Sequence, residues 1–277
     1  MSSYDDYKIA IEKIFSEMST PDFALNAEGA DALKYVMLAL DQGRLSVVAR
    51  GPDGKLSHNE WLKKAILIFF KTQKMGPMQA GEFNFYDKVP VKKWAGSEGV
   101  RVVPPAFVRY GSFVAKGAIL MPSFVNIGAY VDEGTMIDTW ATVGSCAYVG
   151  KNVHVSGGVG IGGVLEPLQA SPVIIEDDCF IGSRSILVEG VHVEQGAVIA
   201  AGVTITGSTK IIDVTGSSPV QLTGRVPARS VVIPGSMPKE FSAGVFSVNC
   251  ALIIGQRKAS TDKKTSLNNT LREFNIS

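Results

Sequence analysis

Along the middle of the chain, an aliphatic residue returns at every sixth position. The segment VDEGTMIDTWATVGSCAYVG (131–150) shows the pattern, with Val131, Ile137, Val143 and Val149 as its repeating residues. A period of six is neither the 3.6 of an amphipathic helix nor the 2 of a half-buried strand. The segment therefore predicts a backbone in which short straight pieces alternate with turns.

The repeat extends over fifteen hexads when the register shifts twice, near 115–124 and at the insertion PLQASPVI (167–174). All fifteen lead residues are aliphatic: Val108, Val114, Val125, Val131, Ile137, Val143, Val149, Val155, Ile161, Ile175, Ile181, Leu187, Val193, Ile199 and Ile205. The fifth residue of each hexad is Ser, Ala, Thr, Val or Cys, with Leu165 as the exception. A short unit repeated in this way predicts a solenoid.

Each hexad would supply one short strand and one turn, and three hexads would close one triangular coil. The lead aliphatic residue then fills the interior, and the small fifth residue fits the corner. Eight hexads carry glycine at the fourth position, where a tight turn favours a residue without Cβ: Gly111, Gly117, Gly128, Gly134, Gly158, Gly190, Gly196 and Gly202. Five such coils, stacked by parallel strand pairing, predict a β-helix, although the period does not determine its handedness.

The first hundred residues have a different pattern, typical of an α-rich domain. Amphipathic helices are predicted near Ile9–Met18, after Asn26 as a capping residue, and over EWLKKAILIFFKTQK (60–74). RLSVVAR (44–50) alternates as a strand and precedes the turn sequence GPDG. The Gly- and Pro-rich segment 76–105 is interpreted as a linker.

Beyond Ile211 the sixfold pattern weakens. TGSSPVQLTGRVPARS (215–230) predicts a hairpin or flexible loop, and SVVIPGS (230–236) a last rung of the solenoid. FSVNCALII (246–254) predicts a strand, and TSLNNTLREF (265–274) a polar helix. The chain is accordingly divided into an α-rich domain (1–100), a β-helix (101–236) and a small C-terminal cap (237–277).

Composition narrows the class of protein. The 277 residues include 27 basic and 26 acidic side chains and no polybasic block, which argues against nucleic acid or an anionic membrane as a partner. No apolar run approaches the roughly 20 residues of a membrane span, and MSSYDDYKIA does not resemble a secretory signal. Three cysteines, an odd number, predict reduced thiols. We expect a soluble cytoplasmic protein.

Several longer segments are more specific than the hexad. RVVPPAFVRYGSF, MPSFVNIGAYVDEGTMIDTWATVGSCA, KNVHVSGGVGIGGVLEPLQA and IIEDDCFIGSRS closely resemble the tetrahydrodipicolinate N-succinyltransferases of bacterial lysine biosynthesis, as does HNEWLKKAILIFF in the helical region. The resemblance covers nearly the whole chain. It implies a left-handed β-helix, a homotrimer, and active sites in clefts between neighbouring prisms. It also implies the reaction: succinyl-CoA, tetrahydrodipicolinate and water give N-succinyl-2-amino-6-oxopimelate and CoA, with no permanently bound cofactor.

Amide formation from a thioester needs a neutral amine, a base and donors for the developing oxyanion. Asp138 follows a lead aliphatic residue, so its side chain should project outward, and the resemblance makes it a substrate-binding residue and candidate base. Trp140 beside it could exclude water or simply cover a corner. Arg101 matches a substrate-binding arginine of the family, and a guanidinium pairs bidentately with a carboxylate of the dicarboxylic substrate.

A second catalytic carboxylate is less clearly marked. Glu189 stands at a third hexad position, and Glu166 opens the inserted loop. Family members often carry an acidic residue close behind the Arg-Ser of GSRS, where this chain has Ile186 and Leu187. Both glutamates are therefore candidates, and each could instead be a solvated side chain.

The acyl donor brings phosphates and a long pantetheine arm, which the resemblance places along the solenoid. The candidate CoA-binding residues are Ser183, Arg184, Ser185, Ala200, Ala201, Gly202, Lys210 and Arg225, with Arg229, Arg257 and Lys258 as further phosphate partners. The small residues among them are equally explained by the fold.

A catalytic metal is not expected. A zinc site needs three imidazoles on one ion, whereas His58, His154 and His192 lie far apart in the sequence. Two alternatives stay open: a hexapeptide acetyltransferase acting on another amine or hydroxyl, and a non-catalytic β-helix subunit. The first would not need the block from Arg101 to Ser185, and the second would not need the outward charges.

Overall fold

A computed structural model describes residues 4–20, 23–51 and 53–258. Three helices open the chain: α1 (Tyr4–Glu17), α2 (Ala27–Asp41) and α3 (Glu60–Thr72). Two antiparallel hairpins accompany them, β1 (Val48–Arg50) with β2 (Leu56–His58), and β3 (Gly76–Ala80) with β4 (Phe83–Asp87). The predicted helices and the strand in RLSVVAR are confirmed. Asn26 caps α2 as expected, since its Oδ1 accepts a hydrogen bond from Gly29 N at 2.8 Å.

The interpretation of 76–105 as a linker was wrong over its first half, which forms the β3–β4 hairpin. Aromatic packing explains why. Phe83 and Phe85 each make an edge-on contact with Phe107 on the outer wall of the solenoid, with ring centroids 5.6 and 5.3 Å apart. Within the hairpin, Gly76 begins β3, and Gly81 lies in the turn between the two strands with φ +60°.

Three parallel sheets form the walls of a left-handed parallel β-helix. Sheet 1 contains β5 (Arg101–Val102), β8 (Ile119–Leu120), β11 (Met136–Ile137), β14 (His154–Val155), β17 (Phe180–Ile181) and β20 (Val198–Ile199). Sheet 2 contains β6 (Phe107–Val108), β9 (Phe124–Val125), β12 (Thr142–Val143), β15 (Gly160–Ile161), β18 (Ile186–Leu187) and β21 (Thr204–Ile205). Sheet 3 contains β7 (Phe113–Val114), β10 (Tyr130–Val131), β13 (Tyr148–Val149), β16 (Ile174–Ile175), β19 (His192–Val193) and β24 (Arg225–Val226).

The sixfold repeat corresponds directly to this architecture. Each of the fifteen lead residues is the second residue of a two-residue strand, and each is buried in the interior of the prism. Leu120 adds a further interior strand inside the first register shift. Because one strand pairs with the equivalent strand of the next coil, for example Ile137 with Val155, the aliphatic residues stack into one continuous core.

The turns also follow the expectation. All eight predicted glycines have positive φ, from +67° at Gly134 to +83° at Gly111. Six non-glycine residues take the same left-handed turn position, the third after the buried residue of a strand: Trp140, Cys146, Asn152, Asp178, Arg184 and Arg229. A side chain in this conformation costs free energy, so a non-glycine residue here needs a local reason.

The helical domain packs against the solenoid. Its core residue Ile66 joins one cluster with Ile127 and Cys146, which lie in turns that follow sheet 2. On sheet 3, Val48 and Leu56 of the β1–β2 hairpin cover Tyr148. The N-terminal region therefore partly covers sheet 3 and the turns that follow sheet 2.

At the other end, β22 (Ile211–Asp213), β23 (Val220–Leu222), β25 (Ser230–Phe241) and β26 (Gly244–Gln256) extend sheet 1. The last rung predicted at SVVIPGS is confirmed by pairing of Val231 and Val232 with β20. The strand predicted at FSVNCALII lies within β26. The boundary predicted at 236/237 falls inside β25, which continues from the solenoid into the long hairpin. The polar helix predicted at 265–274 lies outside the described residues.

Candidate active site

The prism has three corners, and the turns that follow each sheet define them. Corner 1–2 joins sheet 1 to sheet 2, corner 2–3 joins sheet 2 to sheet 3, and corner 3–1 closes the coil. Stacked coils are about 4.8 Å apart. The position of each candidate residue is therefore fixed by its corner and its coil.

Asp138 lies at corner 1–2, directly after β11, and is half-buried. Its Oδ1 accepts hydrogen bonds from the backbone N of Thr139 at 2.6 Å and from Thr139 Oγ1 at 3.2 Å. Its Oδ2 faces the next coil, where a methyl group built on Gly157 would lie 3.9 Å away. One carboxylate oxygen is thus held by the turn while the other points along the corner.

Trp140 occupies the left-handed position of the same turn, with φ +62°. Its backbone N donates to the Pro122 carbonyl at 2.6 Å, which ties the turn to the coil below. The side chain is 67% exposed. A large apolar side chain in a strained turn and open to solvent does not serve the packing of this chain alone.

Two arginines flank Asp138 along the solenoid axis. Arg101 is exposed on β5, two coils below Met136, which places these strands about 10 Å apart. Arg184 is exposed at corner 1–2, two coils above Trp140, and also has a left-handed backbone at φ +62°. Within the described residues, neither guanidinium forms an ion pair. Both cations are therefore available to anionic ligands.

The CoA candidates of this corner fall into two groups. Ser183, Ala201 and Gly202 are exposed beside Arg184. Ser185 and Ala200 are buried, and the Ser185 hydroxyl donates to the Ala200 carbonyl at 2.9 Å. The Ala200 N in turn donates to the Val232 carbonyl. The Ser185 hydroxyl and the Ala200 N–H are thus both used within the coil itself, and the assignment of these two residues as ligand contacts stays a prediction.

Glu166 and Glu189 both lie at corner 2–3, not at the corner of Asp138. Glu189 follows β18 and its Oε2 accepts a hydrogen bond from Gly207 N at 3.2 Å. Glu166 is exposed on the inserted loop (162–173) that connects β15 to β16. Lys210 is exposed beyond β21, after the turn of the same corner. A single chain therefore does not bring either glutamate, or Lys210, to Asp138.

Arg225 lies on the third wall, in β24, where it forms an ion pair with Glu194. Its assignment to the same ligand as Arg184 is not supported within one chain. Arg229 and Arg257 border a cavity of about 630 Å³ at corner 3–1. The Arg257 guanidinium donates to the Asp178 carbonyl at 2.6 Å, and Arg229 donates to the Arg257 carbonyl at 2.7 Å. This cavity at corner 3–1 is therefore remote from the Asp138 carboxylate at corner 1–2.

Sequence reasoning left the surroundings of His154 open. This side chain projects from β14 on sheet 1, one coil above Met136, and its ring stacks on Phe180 at 5.0 Å with an interplanar angle of 4°. Burial lowers the pKa of His154, while the neighbouring Asp138 carboxylate acts in the opposite direction. The period of the solenoid could have identified this neighbour, because residues on one wall recur from coil to coil.

The described residues contain no group of three or more His, Cys, Asp or Glu side chains arranged to hold a metal ion. His58 lies in β2 and His192 contacts Glu176 on sheet 3, so both are away from His154. Among the same residues, no helix is long and apolar enough to cross a membrane. Cys146, Cys179 and Cys250 are free thiols and buried.

Two known family models match separate segments of the chain. Residues 6–72 match the family described as the N-terminal region of tetrahydrodipicolinate N-succinyltransferase, and residues 172–207 match the hexapeptide repeat of succinyl-transferase. Among solved structures, a 2,3,4,5-tetrahydropyridine-2-carboxylate N-succinyltransferase described from Campylobacter jejuni shares the fold. Its TM-score is 0.53 at 16% identity, with 91% of this chain and 72% of that chain covered.

Curated proteins are much more similar in sequence. The 2,3,4,5-tetrahydropyridine-2,6-dicarboxylate N-succinyltransferase of Delftia acidovorans is 56% identical over 254 residues, covering 89% of this chain and 90% of that protein. The protein of the same name from a Psychrobacter species is 58% identical over 253 residues, covering 88% and 90%. The chain therefore belongs to the 2,3,4,5-tetrahydropyridine-2,6-dicarboxylate N-succinyltransferase family.

Proposed function

We propose that this chain transfers a succinyl group from succinyl-CoA to the ring nitrogen of 2,3,4,5-tetrahydropyridine-2,6-dicarboxylate with uptake of water, giving N-succinyl-2-amino-6-oxopimelate in the diaminopimelate branch of lysine biosynthesis. Sequence identity above half over most of the chain supports the activity. The structural observation that carries it is the position of Asp138 between Arg101 and Arg184 along one side of the solenoid. A carboxylate flanked by two cations suits an amine acceptor and two anionic substrates.

Transfer is direct, in a ternary complex, because the described cysteines are poor nucleophiles. Burial raises the pKa of Cys146 and Cys179 to about 12 and also raises the pKa of Cys250. A thiol that is both buried and protonated does not attack a thioester. The substrate nitrogen attacks instead. Water first adds across the carbon–nitrogen double bond of the cyclic imine, which makes the nitrogen an amine that carries a proton. This nitrogen bonds to the acyl carbon, the carbon–sulfur bond breaks, and the proton lost from nitrogen finally protonates the CoA sulfur. Opening of the ring at the hydrated carbon leaves the 6-oxo group of the product.

Asp138 binds and orients the attacking amine. Its Oδ1 is fixed by Thr139, so Oδ2 is presented in one direction without an entropic penalty at the moment of binding. Arg101 binds a carboxylate of the acceptor through its planar fork. Trp140, exposed beside them, shields the reacting atoms from water once both substrates are present.

The acyl donor follows corner 1–2 upward from Asp138. Ser183, Ala201 and Gly202 leave a shallow path of small residues for the pantetheine arm, and Arg184 supplies positive charge beside it. Succinyl-CoA is a substrate in this scheme rather than a permanently bound cofactor.

Glu166, Glu189 and Lys210 reach a site only from a neighbouring copy. They lie at corner 2–3, which sheet 2 separates from the corner of Asp138. A second prism is therefore needed to bring these side chains to Asp138. In a closed threefold ring built from head-to-tail contacts, corner 2–3 of each copy faces corner 1–2 of the next. We therefore propose a homotrimer with one cleft at each subunit boundary. Free, unpaired thiols and small-molecule substrates favour a cytoplasmic enzyme.

Release of free CoA thiol tests the activity. Purified protein is assayed with succinyl-CoA or acetyl-CoA, each with and without the dicarboxylic acceptor. The proposal predicts thiol release that depends on the acceptor and is much faster with succinyl-CoA. Preference for acetyl-CoA would contradict the assignment of the acyl group, and no acceptor-dependent release from either donor would contradict the enzymatic function.

A further inference from the structure

One buried charge connects the helical domain to the inserted loop. Lys63 of α3 is completely inaccessible to solvent, although its neighbours Leu62 and Ile66 on the helix belong to an apolar core. Burying an ammonium group is costly unless it is hydrogen-bonded. A lysine placed where a leucine would pack therefore needs a specific hydrogen-bond partner.

The partners are backbone carbonyls of the inserted loop. Lys63 Nζ donates to the Leu168 carbonyl at 3.2 Å and to the Ala170 carbonyl at 2.5 Å. These carbonyls belong to one turn, closed by a hydrogen bond from Ala170 N to the Pro167 carbonyl at 3.1 Å. Within the described chain, no carboxylate pairs with the ammonium. The hydrogen bonds that Lys63 donates therefore stabilise the conformation of the inserted loop.

The two ends of the same loop are fixed by close backbone contacts. A methyl group built on Gly163 would lie 2.5 Å from Ser145 N, and Val164 N donates to the Ser145 carbonyl at 3.1 Å. At the far end, a methyl group on Gly190 would lie 2.6 Å from the Ser171 carbonyl oxygen. Both ends of the loop therefore contact the solenoid closely, and Lys63 holds the turn in its middle.

Glu166 is the exposed carboxylate of this loop, immediately before the turn that Lys63 holds. Its direction at corner 2–3 depends on the conformation of residues 167–170. We propose that Lys63 is a positioning residue, which fixes the inserted loop so that Glu166 enters the active-site cleft of the neighbouring subunit. This inference rests on the proposed function, and it makes the helical domain part of the catalytic apparatus.

A double-mutant cycle tests it, because a residue acting through another loses its effect when that residue is changed. The variants are Lys63→Met, Glu166→Gln and the double variant, assayed for kcat/KM by thiol release. Lys63→Met should lower kcat/KM about tenfold or more, since small displacements of an active-site group are costly. In the Glu166→Gln background the same change should cost less than about twofold.

Lys64→Met is the matched control. Lys64 stands next to Lys63 on α3 and pairs with Glu12 at 2.8 Å, so its loss weakens the helical domain without touching the loop. It should leave kcat/KM close to that of the wild type. An equal penalty for Lys63→Met in both backgrounds, or the same penalty for Lys64→Met, would overturn the proposal.

Hydrogen exchange separates this inference from the proposed function. Lys63→Met should speed amide exchange in peptides covering 164–173 while leaving solenoid peptides such as 186–205 unchanged, whether or not the wild type is active. Unchanged exchange in the loop would overturn the positioning role. If Lys63→Met does not fold, Lys63→Arg replaces it in the cycle, because a wider guanidinium keeps the donors but displaces the turn, and the same criteria apply.

Discussion

Arg184 lies flat across Gly158. A methyl group built on Gly158 would come within 2.7 Å of both Cδ and Nε of Arg184, one coil above it. Glycine at this position therefore does two things: it accepts φ +70°, and it opens the surface on which the arginine rests. The guanidinium is thereby directed down corner 1–2 toward the coil of Trp140. The backbone of Arg184 is itself strained.

Gly158→Ala should separate these two roles. We expect the substitution to cost about 1–2 kcal/mol of unfolding free energy from the left-handed backbone. Displacing Arg184 should also raise the apparent KM for succinyl-CoA about tenfold, the loss of a hydrogen bond to a charged group. Steady-state kinetics and thermal unfolding measure the two effects.

Gly117→Ala provides the comparison for that variant. Gly117 has φ +81° at corner 3–1, where an added methyl group would meet only Gly134 N at 3.7 Å. It should lose similar stability and keep a normal KM for the donor. A raised donor KM in both variants would show that backbone strain, and not the path of Arg184, is responsible.

Asp138→Asn removes the carboxylate charge at nearly the same size. The proposed trimer should persist, because within the described part of the chain the side chain is hydrogen-bonded only to its own turn. Turnover should fall by at least about a hundredfold, the lower end of what a positioned acid–base group contributes. Sedimentation and thiol release are the measurements, and an unchanged rate would remove Asp138 from the mechanism.

Arg101→Lys retains the positive charge but loses the planar fork. The apparent KM for the dicarboxylic acceptor should rise more than the KM for succinyl-CoA, because the arginine lies on the acceptor side of Asp138. Initial rates with each substrate varied in turn provide both constants. If the donor KM rises instead, Arg101 belongs to the acyl donor.

His154→Gln should change how stability depends on pH. The pKa of His154 in the folded chain is lowered from its ordinary value of 6.5, chiefly by burial. Between the lowered pKa of the folded chain and the ordinary pKa of the unfolded chain, the unfolded chain therefore binds more protons. The free energy of unfolding therefore falls as pH drops through and below 6.5. The pKa of His58 is lowered as well, so some of this dependence remains in the variant.

Thermal unfolding of wild type and His154→Gln between about pH 5 and pH 8 compares the two slopes. The wild type should lose more stability toward acid than the variant. Parallel curves would mean that the folded protein does not keep His154 from taking up a proton.

The sequence was sufficient for the solenoid because each coil repeats one local rule. Each hexad predicts which aliphatic residue is buried and where the turn lies. Errors of register therefore do not accumulate beyond the insertion at 167–174. The hairpin at β3–β4 was missed for the opposite reason. Its stability depends on Phe107, which is distant in sequence from Phe83 and has no periodic relation to it.

The site was predicted only in part, because a hexad position fixes the corner but not the partner across a cleft. Asp138, Trp140 and Arg184 share corner 1–2, as a reader could derive by counting sheets. Ser185 looked equivalent to Ser183 in the sequence, yet Ser185 takes the fifth, corner position of its hexad and is buried, whereas Ser183 takes the exposed third position. Lys63 carried no signal at all, because a lysine on an amphipathic helix is ordinarily exposed.

In the proposed trimer, each active site combines corner 1–2 of one subunit with corner 2–3 of its neighbour, and mixed trimers test this arrangement. One variant carries Asp138→Asn, and the other carries both Glu166→Gln and Glu189→Gln. Each alone should have at least about a hundredfold lower activity. After unfolding and refolding together, the mixture should recover about a quarter of wild-type activity, because one cleft in each mixed trimer is intact. A mixture no more active than its separate components would place the whole site within one chain and contradict the account.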